Sequence, residues 1–197
     1  DAKPGQTVFI SGGTGSLGAM AIPLAKSLGL TVATNGNGEN EERVRALGAD
    51  IFIDYKKQSY ADVLSEVDLV LDTLGDRELP TEFKILKEGG RLVSLRGMPN
   101  GRFARRMGLP WYKRFLLSLA GRKYDAMAAR KKQTYDFIFV HEDGAQLESI
   151  ASLFPAERPL TASIDATFTL DQINKALAKV RAGGSQGKTI VRIGDFQ

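Results

Sequence analysis

Short apolar runs alternate with amphipathic stretches along most of this chain. Apolar or β-branched runs occur at 8–10, 30–34, 51–54, 68–72, 91–95 and 135–140. Helical spacing is found at 19–26, 41–47, 60–65, 80–86 (closed by Gly89-Gly90), 102–107, 113–132 and 145–153. Short strands that are apolar on both faces are typical of a buried parallel sheet, and the intervening helices supply its crossovers. The pattern predicts an α/β fold with a doubly wound parallel sheet of six strands in the order 3-2-1-4-5-6.

A glycine-rich turn joins the first strand to the first helix, with the sequence Gly12-Gly13-Thr14-Gly15-Ser16-Leu17-Gly18. Glycines in this position permit a tight turn and a close approach of backbone N–H groups to a phosphate. The helix N-terminus then stabilises the negative charge. The order of strand, glycine turn, helix and second strand predicts a dinucleotide-phosphate site. We expect the phosphate contacts to come from Gly13, Thr14, Gly15, Ser16 and Leu17.

The C-terminal residues follow a different pattern, which begins at Pro155. A strand at 164–168, an amphipathic helix at 170–181 and a strand at 188–193 are predicted there. We therefore divide the chain into a dinucleotide-binding Rossmann domain at 1–156 and a C-terminal β-α-β tail at 157–197. The tail is expected to form a separate layer.

The composition is that of a soluble globular protein, with 43% hydrophobic and 25% charged residues in a chain of 197. The absence of cysteine and the presence of a single histidine exclude a disulfide framework and a thiolate or multi-histidine zinc site. No apolar run approaches the roughly 20 residues that span a bilayer, and no secretory signal opens the sequence. A cytoplasmic location is expected. Because the first residue is Asp1, the sequence is interpreted as a piece of a longer protein.

Several motifs in order resemble the cofactor-binding half of the medium-chain dehydrogenases/reductases, and most closely its zinc-free quinone-oxidoreductase branch. The resemblance covers residues 3–193. It rests on the glycine turn and on the segments at 25–29, 47–50, 53–55, 72–75, 86–93 and 187–191. It implies an NADPH-dependent oxidoreductase that transfers hydride to a quinone, an enone or a similar activated acceptor. Hydride transfer in this branch relies on placement of the nicotinamide, so no catalytic residue and no metal ligand are assigned to this chain.

The resemblance also implies a partner domain that this sequence lacks. Proteins of this kind carry an N-terminal GroES-like domain that covers the nicotinamide and supplies most of the acceptor pocket. The tail at 157–197 would pack on that domain. We therefore expect the fragment alone to bind cofactor and to be nearly inactive.

The end of the second strand is expected to decide the choice of cofactor. An acid there would accept hydrogen bonds from the adenosine ribose, whereas this chain has Asn35, which favours NADPH. Glu39 stands where the family often has a lysine, so NADH also remains open. Arg43 either pairs with the 2′-phosphate or lies on a solvated helix face. Tyr55 either lies near the adenosine phosphate or packs in its loop.

The ends of the later strands are expected to approach the rest of the cofactor, because ligands of open α/β sheets bind outside the carboxyl ends of the strands. His141 is interpreted as a surface residue. Phe139 has core packing as its alternative interpretation. The residues expected near the ribose and the nicotinamide are Leu74, Gly75, Leu95, Arg96, Phe139 and Val140.

A basic segment follows the fifth strand. Residues 102–132 contain ten lysines and arginines and one acid, so the segment carries +9 within a chain of net charge +4. It is a solvated helix pair at the mouth of the site, an electrostatic funnel for an anionic cofactor or acidic substrate, or a surface for membrane or nucleic acid. We expect neither of the last two as the main partner. An apolar edge at 137–140 predicts a homodimer through the sixth strand.

Two other functional classes compete with this interpretation. A short-chain dehydrogenase needs a tyrosine followed by a lysine four residues later, and none of the five tyrosines meets this requirement. That class is excluded. A non-catalytic nucleotide-sensing or nucleic-acid/membrane-surface-binding module using the basic segment remains the alternative.

Overall fold

The computed structural model describes residues 2–154, 160–184 and 186–194, and a parallel sheet of six strands lies at its centre. The predicted order is confirmed as β3-β2-β1-β4-β5-β6. β1 lies in the middle with Phe9 and Ile10 almost fully buried, as expected of a strand that is covered on both faces. The strands are β1 (Thr7–Ile10), β2 (Thr31–Gly36), β3 (Ile51–Asp54), β4 (Val67–Asp72), β5 (Leu86–Ser94) and β6 (Thr134–Phe137).

Helices cover both faces of this sheet. On one face Ile22 and Val44 pack on Val8 and Val32, and on the other the ring of Tyr60 stacks on Phe9 with 4.6 Å between centroids. Among the described residues, no helix is both long enough and apolar enough to cross a membrane. The helices are α1 (Ser16–Ser27), α2 (Glu41–Ala46), α3 (Tyr60–Val63), α4 (Leu79–Ile85), α5 (Gly101–Arg106), α6 (Trp111–Ala120), α7 (Arg122–Ala129), α8 (Gly144–Ser152) and α9 (Ile173–Ala182).

The fifth strand begins earlier than the sequence predicts. Gly89 and Gly90 do not close α4 but lie within β5, which starts at Leu86 immediately after the helix ends. Leu86 pairs with Val67 and Arg91 pairs with Leu69, so the residues between them form a bulge. A bulge adds residues to one strand without ending its pairing. The bulged residues interrupt the apolar run, so the sequence pattern did not show that the strand starts at Leu86.

The basic segment forms three helices where two were predicted. The expected helix at 113–132 is interrupted at Gly121, where α6 ends and α7 begins. A Cβ atom at this position would lie only 2.4 Å from Cβ of Asn100. The chain therefore turns at a glycine, because a side chain at position 121 would collide with Asn100 at the start of α5.

The sixth strand is shorter than predicted and ends at Phe137 rather than at Val140. Its last pairing is with Ser94, where β5 also ends. Arg106 donates from Nη2 to the carbonyl oxygen of Phe137, so a side chain of α5 already covers part of this edge. The long apolar edge from which we predicted a dimer is not formed, and nothing in these contacts supports that dimer.

The predicted β-α-β tail is present as a separate parallel pair of strands. β7 (Ile164–Thr169) and β8 (Lys188–Arg192) flank α9 and pair only with each other among the described residues. The boundary predicted at 156/157 lies outside the described residues and stays a prediction.

Candidate functional site

The glycine turn is fixed by hydrogen bonds to the end of β2. Gly12 donates to Oδ1 of Asn35 at 2.8 Å, and Gly13 donates to Oγ1 of Thr34 at 3.0 Å. Asn35 is buried, so its carboxamide holds the turn in place instead of pointing freely toward a ribose. The second strand therefore positions the phosphate turn through its side chains as well as its backbone.

The start of α1 offers free donors to an anion. The helix begins at Ser16 with Gly15 as its N-cap, and no acid occurs in its first turn. The N–H groups of a first turn have no intrahelical acceptor, and the helix dipole places partial positive charge beside them. This end of the helix is suited to a phosphate, as the sequence predicts.

A polar cleft of about 510 Å³ opens beside the turn at the carboxyl edge of the sheet. It contains five of the predicted site residues, namely Thr14, Gly15, Asn35, Leu74 and the half-exposed Tyr55. Tyr55 is thus directed to the cleft and not packed within its loop. The remaining lining comes from Gly12, Gly36, Asn37, Glu39, Asn40, Gly184 and Gln186.

Arg43 reaches from α2 back to the glycine turn. Its Nη2 atom donates to the carbonyl oxygen of Thr14 at 2.6 Å. Its Nε and Nη1 atoms are buried without a hydrogen-bond partner in the structure. The interpretation of Arg43 as part of a solvated helix face is therefore wrong. A buried guanidinium with unused donors is unfavourable by itself. Arg43 does not line the cleft and adjoins it only through its bond to Thr14.

The turns after β4 and β5 are organised by one buried carboxylate. Oδ1 of Asp72 accepts from the N–H groups of Leu74 and Gly75 at 2.8 and 2.7 Å, and Oδ2 accepts from the hydroxyl of Ser94. The same hydroxyl accepts from Gly97 at 2.7 Å. Gly75 is therefore held in this turn with its N–H already bonded, and it does not line the polar cleft. Arg96, in the adjoining turn, is exposed.

A second carboxyl group lies buried close to Asp72. Glu82 of α4 is fully buried, and neither of its carboxyl oxygens has a hydrogen-bond partner, although the hydroxyl of Ser11 lies nearby. Burial, and then the charge of Asp72, raise the pKa of Glu82 to about 9. Glu82 is consequently a neutral acid in the folded protein at neutral pH.

The predicted site residues are divided between two clefts. A second cleft of about 710 Å³ is almost entirely apolar and lies between α1, α8 and the ends of β4 to β6. Leu17, Leu95 and Val140 line this cleft and not the polar one. Phe139 lines neither cleft and is 69% exposed, so its interpretation as a core residue is wrong.

The C-terminal tail contacts the phosphate turn directly. The hydroxyl of Ser16 donates to the carbonyl oxygen of Gly187 at 2.8 Å, and Gly184 and Gln186 complete the polar cleft. Ser16 therefore has a bonding partner within the chain. Sequence reasoning missed this contact, because it assigned the tail to a separate layer.

The described part of the chain offers no cluster of metal ligands. Across the described ranges, no group of three or more His, Cys, Asp or Glu side chains could hold a metal ion. His141 is exposed, and its Nδ1 atom lies 3.1 Å from the backbone oxygen of Glu142. This agrees with its interpretation as a surface residue.

The sheet order and the glycine turn define the class, a Rossmann-type nucleotide-binding domain. Residues 47–191 match the family described as zinc-binding dehydrogenase, and the chain belongs to this family. It is a cofactor-binding domain of the medium-chain dehydrogenases/reductases, whose relatives are NAD(P)H oxidoreductases. The zinc in the family's description has no suitable ligand cluster among the described residues.

Individual relatives agree with this assignment. The trans-enoyl reductase pgmF of Aspergillus terreus is 29% identical over 197 residues, which cover 96% of this chain and 52% of the relative. The chloroplastic NADPH-dependent alkenal/one oxidoreductase of Arabidopsis thaliana is 37% identical over 95 residues, 47% of this chain and 24% of that protein. The quinone oxidoreductase of Coxiella burnetii shares the fold with a TM-score of 0.78 and 24% identity, covering 98% of this chain and 54% of that one. The chain thus spans about half the length of its full-length relatives.

Proposed function

We propose that this chain is the NADPH-binding domain of a longer oxidoreductase that transfers hydride to an enone, a quinone or a similar activated acceptor. The observation that carries the proposal is the polar cleft at the glycine turn, which lies where open α/β sheets bind nucleotides. The relatives support this reaction, since they are named as reductases or oxidoreductases of enoyl, alkenal/one and quinone groups. The acceptor pocket would be completed by the remainder of the longer protein.

The phosphates are proposed to lie against Thr14, Gly15, Ser16 and Leu17, whose backbone forms the turn and the start of α1. Gly13 supports this turn through its bond to Thr34. The adenosine end would lie between Asn35 and Tyr55, which line the polar cleft. The nicotinamide end would extend past Leu74, Gly75, Leu95 and Arg96 toward Phe139 and Val140.

The proposed preference for NADPH rests on Arg43. The end of β2 carries no carboxylate that would repel a 2′-phosphate, because Asn35 occupies that position and is bonded to the turn. Arg43 holds unused donors beside the same turn. Glu39 also lines the cleft, but its side chain is exposed and can move away from an incoming anion.

Replacement of Arg43 by methionine is expected to weaken NADPH binding roughly 10- to 100-fold, as loss of a charged hydrogen bond costs about 1.5–3 kcal/mol. The affinity for NADH should change by less than about threefold, because NADH has no 2′-phosphate for the guanidinium to bind. Titration of each nucleotide, followed by its own fluorescence, measures both constants. Arg45→Met is the matched control, since Arg45 lies on the same helix and pairs with the exposed Glu41.

Three outcomes of the titration decide between the proposals. Tighter binding of NADPH than of NADH that depends on Arg43 supports both the domain assignment and the cofactor. Tighter binding of NADH refutes the cofactor preference and keeps the domain. Failure of a folded chain to bind either nucleotide contradicts the proposed function.

A further inference from the structure

Helix α6 carries an exposed apolar face that nothing in the structure covers. None of its ten residues is buried. Five apolar side chains follow helical spacing along one side and are between 49% and 79% exposed. We call this set the aromatic stripe, and it consists of Trp111, Tyr112, Phe115, Leu116 and Leu119.

The other side of α6 faces the protein. Ser118 lies against Gly101 at the start of α5, and Arg114 donates from Nε to the carbonyl oxygen of Leu109. The helix is therefore held on α5 by one side while the aromatic stripe points away. This orientation belongs to the folded chain and does not depend on a bound cofactor.

The aromatic stripe belongs to the basic segment, most of whose cations have no acidic partner among the described residues. In the basic segment, Arg102 and Arg106 pair with Asp136, and Lys132 pairs with Glu88. The one acid of the segment, Asp125, accepts a hydrogen bond from Asn100. The other seven cations make no ion pair within the described residues, and they are Arg105, Lys113, Arg114, Arg122, Lys123, Arg130 and Lys131.

From these observations we infer that the aromatic stripe, with the unpaired cations of the basic segment, binds the surface of an anionic lipid bilayer. A helix with Trp, Phe and Leu on one face and Lys or Arg beside them is the kind that lies in the membrane interface. Trp and Tyr prefer this depth, and lysine and arginine are attracted to anionic headgroups. A ten-residue helix is about 15 Å long, half the hydrocarbon thickness, so α6 would lie along the surface.

Charge distinguishes this partner from the alternatives. A dimer through α6 would bring two segments of +9 together, which is electrostatically unfavourable. A nucleic acid would use the cations but would leave most of the aliphatic part of the stripe in water. An anionic bilayer offers headgroups that attract the cations and a hydrocarbon region that buries the apolar face. The sequence did not favour a membrane because it could not show which face of α6 was unpaired.

The chain contains a built-in probe for this interaction, since Trp111 is its single tryptophan. With vesicles of phosphatidylcholine and phosphatidylglycerol at low salt, emission should shift to shorter wavelength and be quenched by lipids with brominated chains. About 0.5 M salt or pure phosphatidylcholine vesicles should weaken binding at least about tenfold, because screening removes the attraction to the headgroups.

Two double variants of the chain keep Trp111 and test the site. Phe115→Ser with Leu119→Ser should lower vesicle affinity at least about tenfold, because both side chains lose their burial in lipid. Leu177→Ser with Val180→Ser is the matched control, since these α9 residues are also exposed but lie outside the basic segment. Circular dichroism and NADPH titration verify that each variant is folded.

Two results with vesicles would overturn the inference. One is an unshifted Trp111 emission with anionic vesicles at low salt, and the other is equal binding by the two double variants. A spectral shift that depends on protein concentration without lipid would indicate a second copy as the occupant. RNA binding that survives in the stripe variant would indicate a nucleic acid. Loss of vesicle binding in the longer parent protein would show that its remaining domain covers the stripe.

Discussion

Replacement of Gly18 by alanine is expected to abolish measurable NADPH binding and to destabilise the domain. A Cβ atom at this position would lie 2.2 Å from the carbonyl oxygen of Gly13 and 2.4 Å from its carbonyl carbon. These are backbone atoms of a turn that is anchored to β2, so they cannot move aside cheaply. Helix α1 must then shift away from β1, which displaces the N–H groups proposed to bind the phosphates.

The expected loss of stability is about 1–3 kcal/mol or more, the range for overpacking in a close-packed interior. Urea unfolding measures the free-energy change, and nucleotide titration of the folded fraction measures binding. Gly144→Ala is the control, because a Cβ atom added there meets nothing within 4 Å. Wild-type affinity and stability in the Gly18 variant would refute the proposed role of this contact.

The second large effect concerns the buried acid Glu82, which makes the stability of the fold depend on pH. The carboxyl pKa is about 9 in the folded protein, whereas an ordinary glutamate in an unfolded chain has a pKa of 4.5. Between these values the folded state retains a proton that the unfolded state releases. The retained proton therefore stabilises the folded protein fully below about pH 4.5. This stabilisation decreases as the pH rises, and the decrease ends at about pH 9. The slope is about 1.4 kcal/mol per pH unit.

Glu82→Gln is expected to flatten this pH dependence, because the amide has nearly the same shape and does not ionise. Urea unfolding between pH 5.5 and 9 gives the free energy for wild type and variant, and the difference between them isolates Glu82. Glu148→Gln is the matched control on an exposed helix face. Parallel curves for wild type and Glu82→Gln would show that Glu82 ionises in the folded protein as readily as in the unfolded one.

Local patterns were sufficient to predict the sheet and the phosphate turn. Each strand contains a short run of apolar or β-branched residues, and the order 3-2-1-4-5-6 is that of a doubly wound sheet built outward from β1 in both directions. The turn was predictable because its chemistry is contained in seven consecutive residues. Thr14, Gly15, Asn35 and Leu74 were predicted from their places in the turn and at the ends of strands, and Tyr55 was predicted from the family resemblance. The structure brings these residues together in one cleft.

Features that depend on distant contacts could not be predicted in this way. The bulge in β5 is visible only in its register with β4, and the break at Gly121 reflects a close approach to Asn100. Arg43 could be named from the sequence as a possible ligand, but its bond to Thr14 depends on how α2 packs. The separation of Leu17, Leu95 and Val140 from the polar cleft likewise depends on how α1 and α8 are spaced.

The bond between Ser16 and Gly187 has a consequence for the way the protein is made. Its partners are 171 residues apart, so the ribosome makes Ser16 long before it makes Gly187. While the chain emerges from the ribosome, the six-stranded sheet can assemble before the segment that closes the cleft exists. A nascent chain that stops short of Gly187 therefore lacks the partner of Ser16, and the polar cleft is completed only after the residues of the tail that line it have been translated.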